Sequence, residues 1–271
     1  YLTGRLLSFI FGILTLFFLS KISEKIKNGT FTLTFLILLM HPLFTINSHY
    51  MTVDIPMIFW IILSFYFIIN FYKNEKNYFL YLSSISIGFA TGTKYPALIF
   101  WLLIPYAIFM SKYTLKNSLK NICITFFIFI FSFIFTTPYS VLSFDEFKND
   151  FLYQFLTRGV TKNLSFIDLY TNFKNIIEDL FLINGFQLFL FLISFVFMIF
   201  KINKKILLVY LSLILGFIIL ISTGGFKYAR YYLLLLPFMI LIFCFFLKEL
   251  FENKKYKFLK YFSTTFFFYV L

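Results

Sequence analysis

A chain of 271 residues that is 61% hydrophobic and only 13% charged, with mean hydropathy +0.90, carries more apolar surface than a soluble domain of its size can bury. It reads as all-α, a polytopic integral membrane protein with long near-chargeless runs throughout. The net charge of +13 comes with no P-loop, no dinucleotide fingerprint and no Ser/His/Asp arrangement.

Hydrophobic spans run over about 2–20, 31–46, 55–72, 78–92, 95–111, 121–137, 181–200, 206–222 and 231–247, with a further one from 258, as a single domain over 1–271. Several are shorter than a bilayer core requires, so flanking lysines must snorkel or the bilayer must thin. The connections alternate between two sides. Lys21–Gly29, Lys73–Asn77, Ser111–Asn121, Lys201–Lys205 and Lys248–Lys260 carry two thirds of the 24 Lys and Arg. Positive-inside bias assigns these five to the cytoplasm, which accounts for the basic excess without nucleic acid. By the same parity Arg5, Asp54, Lys94 and Arg230 fall at the outer ends of their helices. Phe (46) and Tyr (19) are unusually frequent, and the phenylalanines are expected to fill lipid-facing positions.

The first polar break is Asn47–Pro56, where Asp54 is the only carboxylate between Glu24 and Glu75. Asp54-Ile55-Pro56 is good helix-start chemistry, with Asp as N-cap. A carboxylate at the lip of a membrane helix is equally a functional candidate. His41-Pro42, inside the second span, predicts a kink. His49 and Asp54 alone have too few ligands for a metal site. Thr91-Gly92-Thr93-Lys94-Tyr95-Pro96 predicts a tight hairpin, with Gly92 permitting close backbone approach. Lys94 there is either a snorkelling lysine or a ligand for phosphate or carboxylate.

The segment Thr137–Asp179 predicts two amphipathic helices lying in the interface of a long outer loop. Ser143-Phe144-Asp145-Glu146 is a capping-box pattern, followed by the stripe Phe144, Phe147, Phe151 and Phe155. Ser165-Phe166-Ile167-Asp168 repeats the start signal. Lys227 and Arg230 follow Gly224-Gly225 and suit an anionic headgroup, whether of ordinary lipid or of a substrate. Cys123 and Cys244 read as buried small hydrophobes. The chain starts at Tyr1 and stops at Leu271 within an apolar run, as a fragment truncated at both ends would.

Gly4-Arg5-Leu6-Leu7-Ser8, then His49-Tyr50-x-Thr-x-Asp54-x-Pro56, then Gly88-x-Ala90-x-Gly92-Thr93-Lys94-Tyr95 resemble, in that order, the GT-C membrane glycosyltransferases. The likeness is to the dolichyl-phosphate-mannose protein mannosyltransferase-like branch, glycosyltransferase family 39, which includes aminoarabinose transferases of lipid A. Thr137-Pro138-Tyr139 and Arg230-Tyr231-x-Leu-x-x-x-x-Pro237 fit less specifically, while Arg158-Gly159-Val160 departs from the family's Arg-His-Gly. The resemblance implies an inverting hexosyl- or pentosyltransferase acting at the outer face of a membrane, by expectation the bacterial inner membrane. Its donor would be a polyprenyl-phosphate sugar and its acceptor a protein, lipid or glycan. The family's Asp-Glu pair, which supplies the principal base, would lie upstream of Tyr1.

Transfer from a lipid phosphate needs cations on the leaving phosphate, for which Lys94, Arg230, Arg5 and Lys227 are candidates. It also needs a carboxylate near the acceptor hydroxyl, where Asp54 fits an acceptor-side or auxiliary role. His49 and Tyr95 are the expected substrate contacts. No cofactor is indicated, and the requirement for a divalent cation is left open. The alternatives are a transporter or flippase of lipid-linked sugars, which should show internal repeats, and a non-catalytic scaffold subunit.

Overall fold

The computed structural model describes residues 2–154, 166–201, 203–222 and 229–252, and the regular structure of those residues is entirely helical. Among the described residues, four helices are long and apolar enough to cross a bilayer: α1 (Leu2–Ile26), α4 (Asp54–Asn74), α7 (Leu115–Thr136) and α11 (Lys204–Ser222). Between α1 and α4 lie α2 (Phe31–Met40) and α3 (Pro42–His49), bent by 67° and equal to a fifth crossing if they form one broken span. The bend has a local cause. Pro42 offers no N–H to the helix and drives the preceding residue out of the helical region, so His41 sits at φ −74°, ψ 115°.

Shorter elements complete the chain. α5 (Tyr78–Thr93) is followed by a 3₁₀ segment, Tyr95–Leu102, that runs into α6 (Leu103–Phe109). After α7 come α8 (Tyr139–Leu142) and α9 (Phe144–Gln154), then α10 (Phe166–Ile199), a 3₁₀ turn at Ala229–Leu234 and α12 (Leu236–Glu252). Helix α9 starts where the capping-box pattern places it. The second start signal also holds, but the helix it opens does not stop near 180 as expected. It continues without a break into the following span as the 34-residue α10, so the amphipathic stretch is an extension of that span rather than a separate in-plane helix.

Packing of α1, α4, α5 and α7 rests on small residues. Lipid tails are as apolar as leucine, so helices in a membrane associate through close contact and hydrogen bonding rather than by escaping water. A Cβ on Gly88 would stand 2.5 Å from Ser132 Cβ and 2.9 Å from the Phe129 carbonyl oxygen, so α5 and α7 touch almost backbone to backbone. Ser64 and Ser83 share a 2.7 Å hydrogen bond between α4 and α5. Helix α7 is accordingly reversed relative to a soluble helix: Ser118, Asn121, Thr125 and Ser132 face inward. Leu115, Leu119, Cys123, Phe127, Phe131 and Phe135, spaced by four, face outward. Cys123 is thus on the exposed stripe, correcting its expected burial, while Cys244 is fully buried. Two of these inward hydroxyls bond within the helix, Thr125 Oγ1 donating to the Ile122 carbonyl at 2.9 Å. Ser132 Oγ donates to the Ile128 carbonyl at 2.7 Å.

The basic loops gather at one end of the bundle. Lys25 Nζ donates to Asn70 Oδ1, and Lys205 Nζ donates to the Lys25 carbonyl at 2.9 Å. Lys204 Nζ donates to the Met110 carbonyl at 2.7 Å, and the Tyr113 hydroxyl bonds Asn77 Oδ1. Lys27 pairs with Glu249, as does Lys201 at 3.8 Å. Loops far apart in sequence are therefore neighbours here, and the polar residues near Asp54 and Lys94 belong to the opposite end.

Candidate functional site

At that opposite end α4 opens on Asp54, α5 closes before Lys94, and the 3₁₀ turn Ala229–Leu234 packs against α3 and α4. Asp54 is the first helical residue, after Val53 in the cap position, and no side chain caps the helix. Its carboxylate is turned instead to Lys94, whose Nζ donates to Oδ1 at 2.7 Å. The capping alternative is thereby set aside, although a carboxylate in the first turn still gains from the helix dipole. The pair is mostly enclosed, with the Asp54 side chain 5% and the Lys94 side chain 28% exposed.

Local sequence explains how Lys94 gets there. Pro96 cannot continue α5, and Lys94 takes an extended conformation (φ −158°, ψ 122°) between α5 and the 3₁₀ segment. That turns its side chain back across the start of α4. Gly92 contributes differently from the expected hairpin role. A Cβ on Gly92 would be 2.1 Å from Thr136 Oγ1, so this glycine lets α7 approach the end of α5.

A second group of contacts completes the cluster. Lys94 Nζ lies 4.7 Å from the centre of the Tyr231 ring, and the Arg230 guanidinium carbon lies 5.6 Å from the same ring. Both are within the range of a cation–π contact. The Tyr231 ring thus lies within reach of two cations, and one of them, Lys94, is paired with Asp54. Cations held this close to an aromatic ring at the end of a membrane bundle are the kind of group that can meet an anion.

The other expected site residues fall at the same end with different neighbours. His49 is exposed and stacks on Phe9 of α1, with ring centres 6.3 Å apart. Arg5 is half-buried one turn before Phe9, and the loop after α3 crosses α1 beside it, since a Cβ on Gly4 would meet Met51 Sδ at 2.2 Å. Tyr95 turns away from the ion pair. Its hydroxyl meets that of Tyr139 at 2.5 Å, and its ring packs on Phe147 and Phe151 of α9 at 6.1 and 5.5 Å. Those two are the packed part of the predicted phenylalanine stripe, whereas Phe144 is exposed and Phe155 lies outside the described residues. Lys227 lies outside them too.

Sequence reasoning passed over Tyr231 and Tyr139. Both sit in motifs already noted, but in a chain with 19 tyrosines nothing distinguishes them until partners across the bundle appear. Among the described residues, three hydroxyls near this end, on Thr52, Thr137 and Ser140, are buried without a hydrogen-bond partner, as are those of Tyr72, Ser84 and Tyr106 elsewhere. Such a group costs about 1–3 kcal/mol unless something arrives to meet it.

The sequence model of the dolichyl-phosphate-mannose-protein mannosyltransferase family matches residues 1–147, more than half of the chain. The chain belongs to that family. It is accordingly a membrane glycosyltransferase by descent, and the all-helical fold with bilayer-length apolar helices agrees with this. The matched stretch of this mannosyltransferase-family chain includes Arg5, His49, Asp54, Lys94 and Tyr95, and ends before the turn that brings Arg230 and Tyr231. No curated protein and no solved structure matches the chain.

Proposed function

We propose that this protein moves a sugar from a polyprenyl-phosphate donor, dolichyl- or undecaprenyl-linked, to a hydroxyl of a protein, lipid or glycan acceptor. The Asp54 end would face the outside of the membrane. The observation that carries the reading is the Asp54–Lys94 pair set against Tyr231 and Arg230 at one end of a membrane bundle. A donor with an embedded tail presents its phosphate at that level, which fits a cationic cluster there and needs no nucleotide-binding loop.

In this reaction the bond between the sugar's anomeric carbon and the phosphate oxygen breaks. A bond to the acceptor oxygen forms on the opposite face, and the acceptor proton passes to a base. Charge grows on the leaving phosphate, and Lys94 and Arg230 are the groups to stabilise it, with Arg5 and Lys227 as further candidates. An ammonium has three N–H bonds. One is held by Asp54, so Lys94 can meet a phosphate without abandoning its partner. If the phosphate draws Lys94 toward itself, the Asp54 carboxylate is released to the acceptor side as an orienting or auxiliary group. His49 and Tyr95 are assigned to the rim of the substrate space.

The test is transfer from a polyprenyl-phosphate sugar in membranes, with donor binding measured separately. Loss of one charge-assisted contact is expected to cost about 1.5–3 kcal/mol, roughly ten- to a hundredfold. Lys94→Gln and Arg230→Gln should each weaken donor use by that order, and less than additively together because they share one ligand. Asp54→Asn should lower turnover more than donor binding. Wild-type turnover by Lys94→Gln at limiting donor would remove the phosphate-clamp role.

A further inference from the structure

The basic end of the bundle is not uniform. Three acidic residues there are spoken for: Glu24 accepts the backbone N–H groups of Gly29, Thr30 and Phe31 at 2.9–3.0 Å, fixing the start of α2. Glu249 and Glu252 pair with Lys27, Lys201 and Lys248. Glu75, exposed where α4 ends in the left-handed region at φ 53°, forms no ion pair with a lysine among the described residues. On the side formed by α1, α4 and α11 the lysines have no such counterparts. Among the described residues, Lys21, Lys25, Lys73 and Lys205 form no ion pair with a carboxylate.

These four converge. Lys25 Nζ is held by Asn70 Oδ1 and stands 4.2 Å from the centre of the Tyr66 ring, both on α4. Lys205, at the start of α11, reaches across to the Lys25 carbonyl at 2.9 Å. Lys73 lies three residues beyond Asn70 on the same face of α4, and its charge and that of Lys25 both act on Lys205. Lys21 precedes Lys25 by one turn of α1, with Nζ over the Phe17 and Phe31 rings at 5.4 and 5.7 Å. The Lys21 and Lys25 ammonium groups lie against aromatic rings, Lys205 closes on the Lys25 backbone, and all four lysines stand at the end of the bundle, where such side chains reach out of the hydrocarbon. Four like charges held together by neutral partners repel one another, and an anion would relieve that repulsion.

We infer that the adjoining ends of α1, α4 and α11 form a second binding site, for a phosphate group, with Lys25 and Lys205 at its centre and Lys73 and Lys21 at its rim. It is separate from the Asp54 site at the other end of the bundle and independent of the sugar chemistry proposed there. The phosphate can come from the headgroup of an anionic phospholipid or from solution. The chemistry of recognition is the same, and only the lipid adds acyl chains along the exposed helix faces.

The experiment follows phosphatidylglycerol and phosphatidylcholine bound to the purified full chain in detergent by native mass spectrometry. Phosphatidylglycerol should be retained in preference. Lys25→Gln with Lys205→Gln should weaken that retention about tenfold or more, whereas the charge-preserving Lys25→Arg with Lys205→Arg should keep most of it. Lys116→Gln with Lys120→Gln, two exposed lysines of α7, should leave it unchanged. If the central double variant does not fold, Lys73→Gln decides, since Lys73 is exposed, holds no hydrogen bond among the described residues, and should still reduce retention when replaced. Displacement by inorganic phosphate would show that the phosphate alone is read. Failure of phosphate to compete, with lipid selectivity intact, would identify the phospholipid as the occupant. Equal retention of the two lipids would overturn the site, as would equal losses from the α7 control pair or an unaffected Lys73→Gln.

Discussion

The two ends of this bundle handle charge in opposite ways. At the basic end charges are numerous and lie on successive turns and loops, and the acidic partners sit on few elements. At the other end the charges enclosed by the bundle are few. Asp54 opens α4, Lys94 lies between α5 and the 3₁₀ segment, and Arg230 comes from a turn more than a hundred residues later. The abundant charges are what any membrane protein needs to fix its orientation. The sparse ones require three separate elements to be placed together for a single ion pair and a shared ring. A candidate site is better located by how many elements converge on a charge than by how many charges there are.

The sharpest way to break this comparison is to ask whether the ends lie on opposite sides of the membrane. Single cysteines at positions 50 and 117, in a chain carrying Cys123→Ser and Cys244→Ser, should be labelled from opposite sides in an all-or-none manner. Labelling from the same side would dissolve the two-ended arrangement.

Next in size is the ion pair itself. Removing one member of a fully buried pair costs about 3–5 kcal/mol, and an exposed pair contributes about 0–1 kcal/mol. Asp54 is enclosed while Lys94 keeps some contact with solvent, so Lys94→Met should destabilise the protein by an amount between those limits. The thermal midpoint in detergent measures it, and Asp54→Asn combined with Lys94→Met should recover part of the loss. A midpoint unchanged by Lys94→Met would mean that the pair does not hold the two elements together.

Damage midway between the ends should be smaller and should spare neither. Replacing Gly by Ala in a helix ordinarily gains about 0.5–1 kcal/mol, but the Gly88 position faces the Phe129 carbonyl, which cannot rotate aside. Overpacking of about 1–3 kcal/mol should win, so Gly88→Ala is expected to be destabilising. A stabilised Gly88→Ala would show that α5 and α7 pack less closely than described.

At the bottom of the scale lie the Lys27, Glu249 and Glu252 contacts, partly exposed and open to salt. Lys27→Gln should change stability by no more than about 1 kcal/mol, and that small effect should fade as ionic strength rises. A larger loss, insensitive to salt, would make the basic end as interlocked as the Asp54 end.

Much of this molecule is determined locally and can be read from the chain. The apolar runs require helices because an unpaired backbone group in hydrocarbon is too costly. Pro42 dictates a bend wherever the helix goes, and the start of α9 follows from Ser143 and its neighbours. The candidate residues Asp54, Lys94 and Arg230 were legible as charges out of keeping with their apolar surroundings. Their relation was not. Local sequence makes Asp54 an adequate helix cap, and only the return of Lys94 across α4 turns its carboxylate to an ion pair. Nothing in the spacing of Tyr231 connects it to Lys94, because their meeting depends on how the turn at Ala229–Leu234 packs against α3 and α4. The same holds for Cys123, whose exposure follows from which face of α7 meets Gly88 and Gly92, and for α10, where two plausible segments merged into one helix. Hydrophobicity and backbone chemistry act over a few residues and are written along the chain. Pairing of single charges depends on distances between elements, and those are decided only when the helices pack.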